Sequence, residues 1–338
     1  MSRVAVIGAG SWGTALAGLL VREGHRCVLW SRNERVARQI GDGRVNAEYL
    51  PDVELPPDLR VTLRLPEALE AAEFVVVAIP SHAFRKIMAA AAGDVPDGAL
   101  LVSATKGLEV ETLDRPSQIL KEVLPDHPQP VVISGPSFAW EVARDVPTAL
   151  TAASVGEEEA RRVQRLFSTP RFRVYTDDDV IGVELGGALK NVIAIAAGIA
   201  DGLGYGHNSR AAIITRGLAE ITRLGVVLGA RTRTFAGLAG LGDLVLTCTG
   251  DLSRNRSVGL RLGRGERLDG ILSAMKMVAE GVKTTQAARR LARSHGVEMP
   301  IVEEIHTILF EGKSPERATA DLMLREPKPE HWGARYGA

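Results

Sequence analysis

At residues 8–13 the segment Gly8-Ala9-Gly10-Ser11-Trp12-Gly13 separates two patterns of different period. Before it, Val4–Ile7 is a short apolar run of β type; after it, Thr14–Arg22 repeats its apolar residues as a helix does. A glycine-rich turn between strand and helix leaves few folds open. Glycines at this spacing suit a tight turn at Gly8, close backbone approach to a pyrophosphate at Gly10, and close helix–strand packing at Gly13. The pyrophosphate then rests on the unpaired N–H groups of the helix N-terminus. A glycine-rich turn with no ligand is the plain alternative. Placement directly after the first strand is the context in which the motif reads as a dinucleotide fingerprint.

The next strand refines the expectation. Sites selective for NAD place an acid at its end, some 20 residues on, to hold the ribose 2′-hydroxyl. Here Cys27–Trp30 runs into Ser31-Arg32, with no acid. A carboxylate would repel a 2′-phosphate and Arg32 could pair with one, so NADP is the preferred cofactor and NAD the second. The alternative is that Arg32 is a solvated surface cation and both cofactors are used.

Beyond the turn the first half alternates β-type runs (Phe74–Ile79, Leu100–Ser103, Val131–Ser134) with helical patterns (Glu34–Ile40, Ala83–Ala92, Ser117–Val123). Such alternation implies a doubly wound, Rossmann-like parallel sheet with helices on both faces. Val61–Leu63 is one further short strand, and Ala149–Ala153 and Phe172–Tyr175 extend the sheet. After Asp177-Asp178-Asp179, acids suited to a helix N-terminus, the patterns become helical. The expected organisation is an α/β domain over 1–178, an all-α domain over 179–325, and a poorly ordered tail over 326–338.

Charge and cysteine content bound the partners. Lys+Arg and Asp+Glu are both 41 among 338 residues, a balance that argues against nucleic acid or an anionic membrane. It leaves room for a small anionic ligand. Cys27 and Cys248 are too few for a disulfide framework, which fits a reducing cytoplasm. The opening residues read as a strand, so no secretory signal is expected. The longest apolar stretch, Val192 to Ala200, falls short of the roughly 20 residues that span a bilayer. His25, His82, His127, His207, His295, His306 and His331 show no ligand spacing, so no metal is expected; His207 reads as a loop residue.

Only eight of the cations are Lys, and Lys190 stands in an apolar helical run, Val183 to Ala194. Gly186, Gly187 and Ala194 lie within a turn of it on the same side and let a ligand or another backbone approach. A Lys there is costly unless paired, and desolvation lowers its pKa toward a useful acid–base range. The bland alternative is a Lys that snorkels to the surface. Gly240-Leu241-Gly242-Asp243 reads as a loop presenting a carboxylate to Lys190 or to a substrate hydroxyl. Ser253-Arg254-Asn255 offers donors for phosphate oxygens, though such a triplet is equally a helix cap. Thr105-Lys106-Gly107 and Ser134-Gly135-Pro136-Ser137 follow strand ends, where open α/β sheets bind ligands.

In this order the motifs resemble bacterial NAD(P)-dependent glycerol-3-phosphate dehydrogenases. The resemblance runs from the first strand to about residue 323 and is also carried by Gly182–Asn191, Asp201–Gly206 and Glu280-Gly281-Val282. It implies interconversion of dihydroxyacetone phosphate and sn-glycerol 3-phosphate, which supplies glycerophospholipid synthesis. Ser11, Trp12 and Arg32 match the family's cofactor contacts, with Ala139, Val278 and Glu280 further round the nucleotide. Lys106, Gly135 and Ser137 match substrate-side positions, and Lys106 also borders the cofactor. Lys190 matches the catalytic Lys, a proton donor and acceptor. Asp243, Ser253, Arg254 and Asn255 match the remaining substrate contacts, Arg254 touching cofactor as well. Asn33 departs from the pattern, standing where a second basic residue can occur.

The mechanism so implied has Lys190 stabilise the charge developing on the substrate oxygen and donate a proton. Asp243 and Lys106 would orient the hydroxyl end and tune Lys190; Arg254 and Asn255 would hold the phosphate. A β-hydroxyacid or 6-phosphogluconate-type dehydrogenase is the runner-up, and a redox-sensing NADP(H)-binding regulator the non-enzymatic alternative. A homodimer is the default assembly, two-fold dimers being the commonest.

Overall fold

The computed structural model describes residues 1–275 and 279–330. The chain separates into two compact units, Met1–Glu184 and Leu185–Ala338.

The first unit follows the alternation read from the sequence. Its elements are β1 (Arg3–Ile7), α1 (Ser11–Arg22), β2 (Arg26–Trp30), α2 (Glu34–Gly43), β3 (Arg60–Thr62) and α3 (Leu65–Leu69). Then come β4 (Phe74–Val77), α4 (Ser81–Ala91), β5 (Leu100–Ser103), α5 (Pro116–Val123) and β6 (Val131–Ser134). The last are α6 (Ala139–Ala143), β7 (Thr148–Ala153), α7 (Glu157–Phe167) and β8 (Phe172–Asp177). The strands form one eight-stranded sheet in the order β3-β2-β1-β4-β5-β6-β7-β8. The order reverses between β1 and β4, the switch point where sheets of this class bind ligands.

Period-2 alternation sorts the strand side chains onto two faces. Val4, Val6, Phe74, Val76, Leu100 and Val102 pack with residues of α1, α2, α6 and α7. Their sequence neighbours Ala5, Ile7, Val75, Val77 and Leu101 pack on the other face with residues of α3, α4 and α5. Both faces are covered, so the strands read as continuous apolar runs. One expectation needs correction: β6 and β7 pair antiparallel, with Val132 opposite Ala153, so the sheet is mostly, not wholly, parallel. The short α6 does not carry the chain back across the sheet as a right-handed crossover does; the 11-residue α7 does, and β7 and β8 are parallel.

The second unit is helical. The helices are α8 (Val180–Gly202), which begins in the first unit, α9 (His207–Val227), α10 (Thr232–Phe235), α11 (Asp243–Thr249) and α12 (Arg254–Gly263). They continue as α13 (Leu268–Ser273), α14 (Glu280–Ser294), α15 (Pro300–Phe310) and α16 (Pro315–Met323). The acid run does cap a helix: Asp179 Oδ1 accepts from the Gly182 N–H at 2.9 Å. His207 is the first residue of α9, not a loop residue, since Gly206 supplies the extended turn before it. Gly240–Asp243 is likewise no loop: Leu238–Gly242 forms a π-helical turn that runs straight into α11.

Among the described residues α8 is the one helix long and apolar enough to cross a membrane, and nearly all of it is buried inside the fold. It exceeds the apolar stretch read from the sequence because Gly, Asn191 and Lys190 are buried along with the aliphatic residues. Of the tail, residues 326–330 are exposed, and Lys328 bonds Glu298. Residues 331–338 lie outside the described residues.

Candidate functional site

In the first unit the glycine turn divides its labour as the spacing suggests. Gly8 has a φ of +118°, and a Cβ there would stand 2.5 Å from the Ala78 carbonyl oxygen. A Cβ on Gly13 would stand 1.9 Å from the Gly8 carbonyl oxygen, so helix α1 packs directly on the turn. At Gly10 a Cβ would meet nothing within 4 Å. Gly10 is also the N-cap of α1 and makes no side-chain cap. The first-turn N–H groups of Ser11, Trp12 and Gly13 therefore meet no competing cap side chain and could receive an anion. These features fit a bound diphosphate. Trp12 Nε1 is buried with no partner among the described residues, a donor that a ligand's acceptor would satisfy.

Arg32 is exposed just beyond the C-terminal end of β2. Asn33 caps α2, its Oδ1 accepting from the Arg35 N–H at 3.0 Å. The nearest acid in sequence, Glu34, is ion-paired with Arg38 one turn on. Beyond the switch point, Lys106 Nζ and Ser137 Oγ each donate to the Gly135 carbonyl oxygen at 2.9 Å. That carbonyl belongs to a residue at φ +152°, where a Cβ would clash with the Leu150 backbone at 2.8 Å. Only glycine fits, and its turn gathers Lys106, Gly135 and Ser137 at the strand ends. Ala139 opens α6, three residues after Pro136.

In the second unit the lysine is buried and paired. Lys190 Nζ forms an ion pair with Asp243 Oδ1, and the two side chains are 8% and 1% exposed. Nζ also donates to Thr247 Oγ1 at 2.9 Å, while the Thr247 hydroxyl donates to the Asp243 carbonyl oxygen at 2.6 Å. Thr247 escaped the sequence reading, although it stands four residues after Asp243 on the same helix face. Gly186 explains how the pair closes: a Cβ there would stand 2.5 Å from the Ala239 carbonyl, so the π-helical turn before Asp243 lies on α8. A glycine in a helix interior costs about 1 kcal/mol, and at Gly186 that cost is set against this close approach.

A second glycine device seats α12. Gly198 and Gly202 of α8 lie on the α12 backbone, Gly259 and Gly263 of α12 lie on that of α8, and a Cβ at Gly259 would stand 2.0 Å from the Ile195 carbonyl oxygen. The four-residue spacing on both helices is the signal that sequence reading passed over. It brings Asn255 against α8: Asn255 Nδ2 donates to Asn191 Oδ1, and Asn255 Oδ1 accepts from the Gly281 N–H, both at 2.9 Å. Ser253 is the N-cap of α12, accepting from the Arg256 N–H at 3.2 Å, so the cap reading of this triplet holds. Arg254 is exposed at the head of α12, in electrostatic reach of Glu280, the first residue of α14. Asp201, its side chain 6% exposed at the end of α8, holds Arg210 and Arg256 together. Val278 lies outside the described residues. Among those described, no group of three or more His, Cys, Asp and Glu could hold a metal.

The profile of the NAD-dependent glycerol-3-phosphate dehydrogenase N-terminus matches residues 3–160, and that of the C-terminus matches residues 179–320. The chain belongs to this family. It is 54% identical over 330 residues to a glycerol-3-phosphate dehydrogenase [NAD(P)+] of Citrifermentans bemidjiense, covering 97% of this chain and 98% of the relative. It is 55% identical over 336 residues to the enzyme so named in Koribacter versatilis, covering 98% and 100%. The crystal structure of glycerol-3-phosphate dehydrogenase from Coxiella burnetii superposes with a TM-score of 0.93 at 40% identity, covering 96% of this chain and 99% of that one. The family match places the chain among oxidoreductases with a Rossmann-like N-terminal and a helical C-terminal domain.

Proposed function

We propose that this chain reduces dihydroxyacetone phosphate to sn-glycerol 3-phosphate, reversibly, with NADPH preferred over NADH. The observation that carries the reading is the buried Lys190–Asp243 pair, braced by Thr247, in a chain of this family. Residues 1–178 bind the dinucleotide and 179–325 carry the proton chemistry. Gly8, Gly10, Ser11, Trp12 and Gly13 hold the pyrophosphate, with Ala139, Glu280 and Val278 as further contacts. The cofactor, when bound, supplies the hydride.

Asp243 sets an opposite charge beside Lys190 within the fold. An ammonium so held stabilises negative charge developing on the substrate oxygen and donates the proton that makes the hydroxyl. In the oxidative direction the same nitrogen accepts that proton. Asp243 orients Lys190, and Lys106, Gly135 and Ser137 contact the substrate. Arg254, at the head of α12, binds the phosphate together with Ser253 and Asn255. The remote phosphate contributes binding energy that positions the reacting carbon. The preference for NADPH rests on Arg32 and on the lack of an acid at the end of β2. A cytoplasmic homodimer supplying glycerophospholipid synthesis completes the proposal, supported by cysteine content and by the prevalence of two-fold dimers.

The deciding measurement is NADPH absorbance after addition of dihydroxyacetone phosphate, repeated with NADH and with carboxylate-bearing hydroxyacids and their ketones. Oxidation with dihydroxyacetone phosphate alone, faster with NADPH, is expected. No decrease with either cofactor refutes the substrate assignment and leaves the fold standing.

A further inference from the structure

Between α2 and β3 the chain crosses the sheet unit with a single isolated bridge, Asn46 to Leu50, as regular pairing. The segment is nonetheless anchored. Leu50, Val53, Leu55 and Leu59 are buried in the core that also holds α1. At its head, Asn46 is fully buried, an unusual place for an amide. Its Nδ2 donates to the Ala9 carbonyl oxygen at 3.0 Å and to Thr14 Oγ1 at 2.8 Å. Its Oδ1 accepts from the Tyr49 N–H at 3.1 Å. Both amide protons and the amide oxygen are thus committed to two segments that sequence separates.

The bond to Ala9 reaches the middle of the glycine turn. The Ala9 carbonyl and the Gly10 N–H share one trans peptide plane and point to opposite edges of it. Fixing the carbonyl on Asn46 therefore fixes the direction of the Gly10 N–H. Gly10 sits where a Cβ would meet nothing within 4 Å, on the open side of the turn. Rotation of this peptide turns on ψ of Ala9 and φ of Gly10, and the glycine at 10 widens the range open to it, so a buried restraint has something to restrain. The bond to Thr14 ties the same amide to the first turn of α1, and the bond to Tyr49 folds the segment back beside Asn33 and within reach of Arg32.

We propose that Asn46 is a positioning residue for dinucleotide binding: it holds the Ala9–Gly10 peptide and the head of α1 in the orientation that receives the pyrophosphate. This rests on the reading that the glycine turn binds NADP(H). The pyrophosphate is common to both cofactors, so Asn46 acts on NADPH and NADH alike, whereas Arg32 acts on NADPH alone.

The test is direct titration of the full-length chain with NADPH and NADH by fluorescence, with steady-state kinetics for dihydroxyacetone phosphate. Asn46→Ala, and Asn46→Asp, which keeps the size but replaces the donor, should each raise Kd for both cofactors by about tenfold or more. The KM for dihydroxyacetone phosphate at saturating cofactor should stay within about twofold, a split that general loosening of the fold does not produce. A folded Asn46 variant with wild-type Kd for NADPH overturns the proposal. If neither variant folds, Thr14→Val against Thr14→Ser decides. Weaker binding of both cofactors in Thr14→Val alone supports the role, and equal Kd values overturn it. Wild-type chain is titrated in parallel. Failure of wild type to bind either cofactor overturns the functional reading and this inference together, whereas binding by wild type with Asn46→Ala unchanged overturns only the role of Asn46.

Discussion

Around Gly8–Gly13 the sheet-bearing unit prepares its site with backbone; around Lys190 the helical unit prepares its site with buried side chains. In the first, Gly8 and Gly13 are set by atoms 2.5 Å and 1.9 Å from where a Cβ would be, and the groups offered to a ligand are peptide N–H donors. In the second, an ammonium and a carboxylate 53 residues apart share a hydrogen bond inside the fold. Backbone donors are fixed once the helix forms and carry no titratable charge. A buried ion pair must be assembled by tertiary packing, and either member alone is costly. The difference predicts that the two sites fail in different ways.

The widest separation comes from Lys190→Ala. Turnover should fall by about three orders of magnitude, since proton donation and charge stabilisation leave together. Binding of NADPH should stay within about twofold of wild type, because no lysine is needed at the glycine turn. Stopped-flow turnover and fluorescence titration of one preparation check both. Near-normal turnover would remove Lys190 from the mechanism.

The converse break is Gly13→Ala. Its Cβ would stand 1.9 Å from the Gly8 carbonyl oxygen, which backbone cannot yield cheaply. A destabilisation of about 3 kcal/mol and a rise in NADPH Kd on the order of 100-fold are expected. Thermal melting and cofactor titration measure them. A variant that melts and binds like wild type would show that the turn can shift, and would undo the steric account of the motif.

Arg32→Ala should act more narrowly. Loss of one charge-assisted contact to a 2′-phosphate should lower kcat/KM for NADPH by about tenfold and leave NADH unchanged. An equal loss with both cofactors would assign Arg32 to general attraction of anions.

The same contrast explains what was legible beforehand. The glycine turn is contiguous and its constraints are local, so spacing alone identified the tight turn at Gly8 and the close packing at Gly13. The strand and helix alternation was equally plain, because the sheet is covered on both faces. The antiparallel β7 was not plain, since pattern gives a strand's existence but not its direction. Lys190 and Asp243 stood out as a charge in an apolar run and as an acid after glycines, and Lys190 was one of two partners read for Asp243; packing of α8 and α11 makes the pair. Thr247 was missed because a Thr one turn from an acid is ordinary. Asn46 was missed because an Asn between helix and strand reads as a turn residue, and nothing local says that its amide reaches Ala9. The glycine pairs of α8 and α12 carry a four-residue spacing that could have been read, had helices rather than ligands been sought as the neighbours.

Reliance on buried side-chain charge extends in the helical unit beyond the lysine, and a smaller effect tests that. Glu220 of α9 is 3% exposed, and its carboxylate accepts from the N–H groups of Ile301 at 2.8 Å and Val302 at 3.3 Å, at the head of α15. Burial pushes its carboxyl up to about 7, although those N–H groups and the charges of Arg223 and Arg216 oppose the shift. A carboxyl raised in the fold above its unfolded value near 4.5 binds the proton more tightly when folded. Its contribution to stability is therefore full below pH about 4.5 and is lost as pH rises toward about 7. The loss is on the order of 1 to 3 kcal/mol, a few degrees in Tm for a chain of this size. Glu220→Gln cannot titrate, so its Tm should fall less than that of wild type between pH 5 and 7.5, whatever its absolute level. Guanidinium groups do not titrate in this range and cannot supply the slope. Parallel pH slopes for wild type and Glu220→Gln would place the charge of Glu220 at its ordinary cost, and would confine the dependence on buried ionisable groups to the surroundings of Lys190.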